Sequence, residues 1–331
     1  MNPLYPWTEG AWRQLHARLE SLPQALLIHG PRGIGKLDLA RRFAQRVLCE
    51  TPATIQPCGA CEGCHWFQAG QHPDYRQVEP ESMAAVVEYP DEPPRSAKTA
   101  KPSREIKVDQ IRELTDFLNI GSHRAKRRLV LFHPAEDLNQ NAANSLLKAL
   151  EESSTNVCLI LVSNNYARLL PTLLSRCIRF PVEIPAANQS RAWLAEAQVA
   201  QAEHWLAFSG GAPLLARDFA VSDQAEAVSQ LLKMLVQGNR EGLLAWPATD
   251  REQVELMAEV LQKWAYDQVF GSISGEGRFF GKSVAKRSGE RRQRHLWLRF
   301  ARQAGRYRVE ARHPLNPKLF LADLIAAMPE S

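Results

Sequence analysis

With 331 residues, 45% of them hydrophobic and 23% charged, the chain is long enough for two or three domains with full hydrophobic cores and has the balance of a globular protein, not of a disordered or fibrous one. Lys and Arg outnumber Asp and Glu by 41 to 36, a formal net charge of +5. That excess is too slight to predict nucleic-acid binding by itself, and it fits a protein that sits near nucleic acid among other basic subunits. No apolar run approaches the roughly 20 residues that span a bilayer. The stretch "MNPLYPWTEGAW" has no basic region followed by an apolar one, so a secretory signal is not expected and the cytoplasm is.

In chain order, "ALLIHG" (25–30) reads as a buried strand feeding a loop, and "GKLDLARRFAQRVLC" (35–49) as a helix with Leu37, Leu39, Ala40, Phe43, Ala44, Val47 and Leu48 at helical spacing. Residues 80–105 are dominated by Pro, charge and small side chains and read as a mobile insertion. Further buried strands are expected at "RRLVLFH" (127–133), "NVCLILVS" (156–163) and "CIRFPV" (177–182). A helix is expected over 139–153, with Ala143, Leu146, Leu147 and Leu150 as its buried stripe. Apolar strands alternating with amphipathic helices indicate a parallel sheet covered on both faces. After Pro185 the strands stop: 188–220 reads as a small helical group turning at Gly210-Gly211, and the rest as helices with loops near 271–290 and 312–317. The basic clusters at 123–128 and 282–295 read as solvated faces or loops.

Cys49, Cys58, Cys61 and Cys64 stand as C-x8-C-x2-C-x2-C. Thiolates this closely spaced, with glycines between them, wrap tetrahedrally around one zinc ion. Four ligands fill the coordination shell, so such a site is structural; a redox pair and an iron–sulfur cluster are the rival readings. His65 is adjacent but superfluous as a ligand, and Cys158, inside a buried strand, reads as core.

The stretch "HGPRGIGKLDLARR" (29–42) places Gly30, Gly33, Gly35 and Lys36 as a P-loop, whose backbone amides and Lys cradle phosphates at a helix N-terminus. The next position, where a P-loop needs a hydroxyl for magnesium, is Leu37. The second strand ends in His133-Pro134 in place of acidic residues, and Glu136 and Asp137 follow too late to be expected as metal ligands. Metal and positioning supply most of the catalysis in phosphoryl transfer, so turnover is expected to be negligible. Two readings of the loop stay open: it holds ATP or ADP without hydrolysis, or it is kept because it closes its turn and packs well.

Ser175-Arg176-Cys177 lies between a helical run and the strand "CIRF". "NSLLKALEES" followed by "LILVSNNYARLLPTLLSRC" resembles, in order and spacing, the core of the AAA+ clamp-loader family of bacterial DNA polymerase III. The cysteine cluster, "YPW" (5–7), "AGQHPDY" (69–75) and "LNPKLFLADLI" (315–325) strengthen the resemblance. It covers most of the first 220 residues, is weaker from 220 to 310, and returns near the end.

This resemblance implies an α/β P-loop AAA+ domain with a RecA-like parallel sheet over 1–182, carrying a zinc module at about 49–64 and the insertion at 80–105. A small helical lid over 183–221 and an all-α collar over 222–331 would follow. It implies that Arg176 is an arginine finger reaching a neighbouring subunit's ATP, for which a fixed, always charged guanidinium is suited. Implied partners are gamma/tau-type motor subunits and a delta subunit in a five-membered ring, the sliding clamp, and primed DNA through the assembled complex. Pro213 stands where active loaders carry a sensor Arg, so Leu37, His133-Pro134 and Pro213 are three departures from an active site. Ser153 replaces a usual Pro, with little consequence. The expected role is therefore a non-hydrolysing clamp-loader subunit. The alternatives are an active AAA+ motor subunit and, less well supported for want of interleaved basic and aromatic residues, a zinc-dependent nucleic-acid-binding module.

Overall fold

The computed structural model describes residues 4–51, 55–83, 102–119, 127–152, 156–247, 250–281, 291–311 and 316–329. They fall into two compact units, Met1–Pro185 and Ala186–Ser331.

The first unit runs α1 (Glu9–His16), β1 (Ala25–His29), α2 (Lys36–Leu48), α3 (Glu62–Gln68), β2 (Tyr75–Val78), α4 (Val108–Arg112), α5 (Thr115–Asn119), β3 (Arg128–Phe132), α6 (Gln140–Glu152), β4 (Val157–Ser163), α7 (Pro171–Leu174) and β5 (Ile178–Pro181). The five strands form one sheet in the order β2-β3-β4-β1-β5, every pair parallel. β3 and β4 are buried along their whole length, as a parallel sheet covered on both faces requires, which is why they read as unbroken apolar runs. On one face Leu27, Val130, Phe132, Leu159 and Leu161 pack with Ile111 of α4, Leu146 of α6 and Leu173 of α7. On the other, α2 packs against β1, β3 and β4 and buries Leu39, Ala40 and Phe43.

The expected strands and the helices after β1 and β3 are present. Two details differ. β2, "YRQV", is an additional strand; it lies at the sheet edge, and only Val78 of its four residues is buried, so it carries no apolar signature. In α6 the stripe is Ala142, Ala143, Leu146 and Leu150, with Leu147 only half-buried. Most of the expected insertion, 84–101, lies outside the described residues, as do residue 153 and most of the two basic clusters. The insertion's base is closed: the Ser82 amide donates to Ser103 O (3.0 Å), Lys107 pairs with Glu81 (3.1 Å), and Ile106 bridges to Leu138.

The second unit is helical: α8 (Ala187–Glu196), α9 (Ala202–Phe208), α10 (Pro213–Ala220), α11 (Gln224–Gln237), α12 (Arg240–Leu244), α13 (Arg251–Ser274), α14 (Arg291–Glu310) and α15 (Pro317–Ala326). Gly210 and Gly211 turn the chain between α9 and α10 with positive φ. One core joins Leu194, Trp205, Phe208 and Phe219 to Met257, Leu261, Trp264, Phe280 and Leu324, each large apolar side chain contributing roughly 1.5–3 kcal/mol by leaving water. The Lys263 ammonium lies 3.6 Å from the Phe208 ring centre and pairs with Glu259 at 2.5 Å. The loop expected from 271 begins later, because α13 continues to Ser274: the Ser272 and Ser274 hydroxyls bond back to Val269 O and Phe270 O, and Gly275 caps the end in the left-handed region.

Candidate functional site

Strand order places β1 between β4 and β5, so the crevice at the carboxyl ends of β1 and β4 is where a ligand of a parallel α/β sheet is received. The loop from Gly30 to Gly35 leaves β1 there. At Gly30 a Cβ would sit 2.1 Å from Val182 O, so no other residue fits. Gly33 and Gly35 have φ of 80° and 82°, and Gly35 is the N-cap of α2. "YPW" clamps this loop from outside. The Tyr5 hydroxyl donates to Asp38 (3.1 Å), Trp7 Nε1 donates to Ile34 O (3.0 Å), and the two rings stack at 5.0 Å.

Lys36 is almost fully buried, its ammonium donating to Pro31 O (2.5 Å) and Asn164 Oδ1 (2.8 Å). Burial pushes its pKa down to about 8, against the opposing effect of Glu136. Glu136 in turn accepts from the Asn164 amide through both carboxylate oxygens (3.1 and 3.2 Å). The Lys36 ammonium is therefore held by groups of the chain itself, Glu136 orienting the loop after β4 and Asn164 meeting Lys36. The side chain that follows, Leu37, is half-buried and carries no oxygen.

After β3, the His133 imidazole has its pKa pushed down to about 4, chiefly by burial and further by Lys36 and Arg41, and its Nδ1 has no hydrogen-bond partner among the described residues. A neutral ring there offers nitrogen in place of the carboxylate oxygens that magnesium takes. Asp137 pairs with Arg168 at 4.0 Å. In the second unit, Pro213 occupies the first turn of α10 and is buried. His29, with its pKa lowered by burial, Arg179 and Lys36, packs on Tyr166 with ring centres 4.6 Å apart.

Arg176 follows α7 and is 40% exposed. Its guanidinium donates to Glu151 Oε1 at 2.5 Å and to Thr172 O at 3.3 Å, so its partners lie on α6 and α7 and not in the Lys36 loop. Ser175 closes the same turn by donating to Thr172 O (2.9 Å), and Cys177 packs against the core with its thiol pushed up to about 11 by burial. Cys158 is wholly buried, its thiol pushed up to about 12 by burial, which makes it inert core.

The four cysteines converge. Cys49 ends α2, Cys61 is the N-cap of α3 and accepts from the Cys64 amide, and all four sulfurs lie within 4.8 Å of one another. The Cys58–Cys64 and Cys49–Cys61 sulfur separations are both 3.9 Å. A tetrahedron with zinc–sulfur bonds of about 2.3 Å has sulfurs about 3.8 Å apart, whereas a disulfide needs about 2.05 Å. Backbone amides point at the sulfurs, as thiolates require: Cys58 N to Cys49 Sγ (3.4 Å), Ala60 N (3.4 Å) and Cys61 N (3.3 Å) to Cys58 Sγ. Hydrogen bonds from the Thr51 side chain and from the Ala60 and Cys61 amides hold the Cys58 thiol down to about 5, while burial pushes Cys64 up. The donor set fits a four-coordinate metal ion, and His65 is exposed and unneeded.

Thus Gly30, Gly33, Gly35 and Lys36 come together in one loop, the cysteines in one cluster, and Arg176 stands apart from both. Sequence reasoning missed Asn164, whose signal was a polar pair, Asn164-Asn165, at the carboxyl end of a fully apolar strand. It also missed the buried pair behind "AGQHPDY": Asp74 forms an ion pair with Arg128 (3.4 Å) and its amide donates to His72 Nδ1 at 3.0 Å.

Comparison with known proteins identifies the family. The family described as DNA polymerase III, delta subunit, matches residues 8–185. The chain is similar to the DNA polymerase III subunit delta' of Pseudomonas aeruginosa, 40% identical over 71% of this chain and 69% of that protein. It is 30% identical to the subunit delta' of Haemophilus influenzae over 65% of this chain and 61% of the relative, less than two thirds of the latter's length. Similarity extends to the DNA polymerase III subunit tau of Salmonella typhimurium, 28% identical over 52% of this chain and 24% of that protein.

Proposed function

We propose that this chain, which belongs to the DNA polymerase III delta-prime family, is a clamp-loader subunit of DNA replication that does not itself hydrolyse ATP and that presents Arg176 to the ATP of a neighbouring motor subunit. The observation that carries the reading is the state of its own phosphate loop: Lys36 is engaged by Pro31 O and Asn164 Oδ1, and the adjoining side chains Leu37 and His133 offer no oxygen to magnesium. Glu136 is committed to the Asn164 amide. A P-loop without protein ligands for its metal retains phosphate binding at most, because metal and positioning dominate phosphoryl-transfer catalysis.

Arg176 suits the complementary role. It is accessible, always charged, and tethered to an exposed glutamate that it can exchange for a phosphate oxygen. A finger supplied in trans contributes roughly 10³–10⁵ in rate. In this reading the partners are gamma/tau-type motor subunits and a delta subunit in a five-membered ring, with the sliding clamp and primed DNA engaged through the assembly. The chain then works as part of a DNA-polymerising holoenzyme in the cytoplasm, at the nucleoid. Its parts are an AAA+ domain over 1–182, a lid over 183–221 and a collar over 222–331. Cys49, Cys58, Cys61 and Cys64 hold a structural zinc ion, whose chemistry is the folding free energy of a closed tetrahedral site.

The test has two arms. Arg176→Ala is expected to leave assembly intact and to lower DNA-stimulated ATP hydrolysis by the reconstituted loader at least 100-fold at the affected site; unchanged hydrolysis overturns the finger assignment. The purified chain alone is expected to hydrolyse no more ATP than its Lys36→Ala variant, and turnover above that control establishes a motor subunit instead.

A further inference from the structure

Between α2, α3 and the edge strand β2 lies a pocket of about 610 Å³, within the range that takes a small ligand or a few residues of peptide. It is separate from the Lys36 loop and from the cysteine sulfurs, though α3, whose N-cap is Cys61, forms one wall. Its floor is aromatic: Phe67 and Tyr75 meet at 4.7 Å between ring centres, tilted by 47°. In its wall stands Gln45, 1% exposed, with neither Nε2 nor Oε1 hydrogen-bonded among the described residues. A buried carboxamide with nothing to pair with opposes folding, so its retention here asks for an occupant that offers one acceptor and one donor. One helical turn earlier, Arg41 spends only its Nε, on Gln77 Oε1 (3.0 Å), leaving the rest of the guanidinium for an anion.

We propose that this pocket receives a short segment of a partner polypeptide in which a carboxylate side chain neighbours an apolar one. Arg41 pairs with the carboxylate in the planar geometry guanidinium favours, Gln45 pairs with a main-chain amide, and Phe67 with Tyr75 supports the apolar side chain. Two neighbouring features select this class. Arg76, the other guanidinium of the lining, lies over the Phe117 ring (4.7 Å) and donates to His72 O and Tyr75 O. Glu79 accepts from Gln77 Nε2 at 2.9 Å, so a carboxylate shares the Gln77 side chain with Arg41 and disfavours a phosphate dianion or a nucleic-acid strand. The tilted ring pair, moreover, offers no flat face for a base. Addition of a strand to β2 is hindered at Tyr75, whose amide already donates to His72 O and whose carbonyl accepts from Arg76 Nη1 at 2.8 Å. Recognition therefore runs through side chains.

The experiment is nuclear magnetic resonance of the full ¹⁵N-labelled chain, reading the Gln45 side-chain amide and the Tyr75 backbone amide. The probes are acetyl-Glu-Phe-Leu-amide, its Lys counterpart acetyl-Lys-Phe-Leu-amide, and AMP. Saturable shifts of both signals with the Glu peptide at millimolar concentration, and at least 10-fold weaker binding of the Lys peptide and AMP, are expected. Arg41→Gln is expected to reduce the Glu peptide to the level of the Lys peptide. Gln45→Leu is expected to lose binding at least 10-fold while raising Tm by about 2–4 °C, since an apolar isostere replaces an unpaired polar group. An unmoved Gln45 signal, equal response to the Lys peptide, or AMP binding at this position overturns the proposal. A fall in Tm for Gln45→Leu also overturns it, because the carboxamide is then already satisfied within the fold.

Discussion

Replacing Lys36 by Met separates what the phosphate loop does for the fold from what it offers a ligand. The ammonium is 3% exposed, and burial takes its pKa from an ordinary 10.5 to about 8. At 1.36 kcal/mol per pH unit this corresponds to about 3 kcal/mol by which burying the charged lysine weakens the fold. Below pH 8 both states carry the proton and the penalty is fully present. Between pH 8 and 10.5 the unfolded chain keeps the proton that the folded chain releases, so stability rises with pH, and above 10.5 the penalty is gone. Met fills the same volume without the charge but leaves Pro31 O and Asn164 Oδ1 without their donor. Pro31 is exposed and Asn164 half-buried, so each lost bond costs about 0.5–1.5 kcal/mol. The variant is therefore expected to be about 1 kcal/mol more stable than the parent at pH 7 and about 2 kcal/mol less stable near pH 10.5.

Urea unfolding of both proteins at several values between pH 7 and 10, with metal content held constant, measures the difference while other titrating groups cancel. A difference that does not change with pH refutes the reasoning: the network around Lys36 then compensates its burial completely. The same charge also bears on the proposed phosphate binding. If the loop holds phosphate, affinity for ADP is expected to fall about 10-fold per pH unit above 8, and calorimetry that finds it constant from pH 7.5 to 9.5 removes Lys36 from the contact.

Asp74→Ala leaves Arg128, 3% exposed, without its buried counter-charge and is expected to destabilise the chain by about 3–5 kcal/mol in urea unfolding; a loss below 1 kcal/mol means that Phe117, whose carbonyl and ring also engage Arg128, suffices. Cys61→Ser is expected to release bound zinc, measured by elemental analysis, and to lower Tm while leaving the sheet's circular dichroism signal in place; a native chain that purifies without zinc contradicts the site. Glu151→Ala is expected to change stability by less than about 1 kcal/mol, since the pair with Arg176 is exposed, and to leave the reconstituted loader's ATPase intact where Arg176→Ala does not. His133→Leu is expected to flatten the loss of stability as pH falls from 6.5 towards 4, because in the parent the folded state resists the proton that the unfolded state takes up.

What the sequence discloses follows how each element is stabilised. β1, β3 and β4 lie inside the sheet and must be apolar on both faces, so periodicity and length reveal them. β2 owes its place to pairing with β3 and to the polar lattice of Arg41, Tyr75 and Gln77, and nothing in "YRQV" announces that. The cysteines are legible because a tetrahedral metal site is met by short spacings on a local segment. Asn164 is not legible, because its role depends on Lys36, 128 positions away. Arg176 is marked by its neighbours in sequence, yet its pairing with Glu151 across 25 positions belongs to the fold and not to any motif.

This difference decides how much the phosphate loop reveals about function. The fold alone accounts for Gly30, since a Cβ there would strike the carbonyl of Val182 next to β5. Trp7 and Tyr5, bonded to Ile34 and Asp38, likewise hold the loop's shape without reference to a nucleotide. The presence of "GPRGIGK" is thus weak evidence of binding: most of it suits a loop that only closes a turn. Lys36 is the exception. Its burial weakens the fold, its two partners belong to the chain, and a hydrocarbon of the same length would fill its place with less strain on stability. A lysine buried against that gradient fits the proposed reading, in which an anion visits the loop and Leu37 and His133 offer its metal no oxygen. On the proposed reading an anion held there lacks the metal ligands that would let it react, and the guanidinium that serves chemistry is that of Arg176, accessible and paired with Glu151.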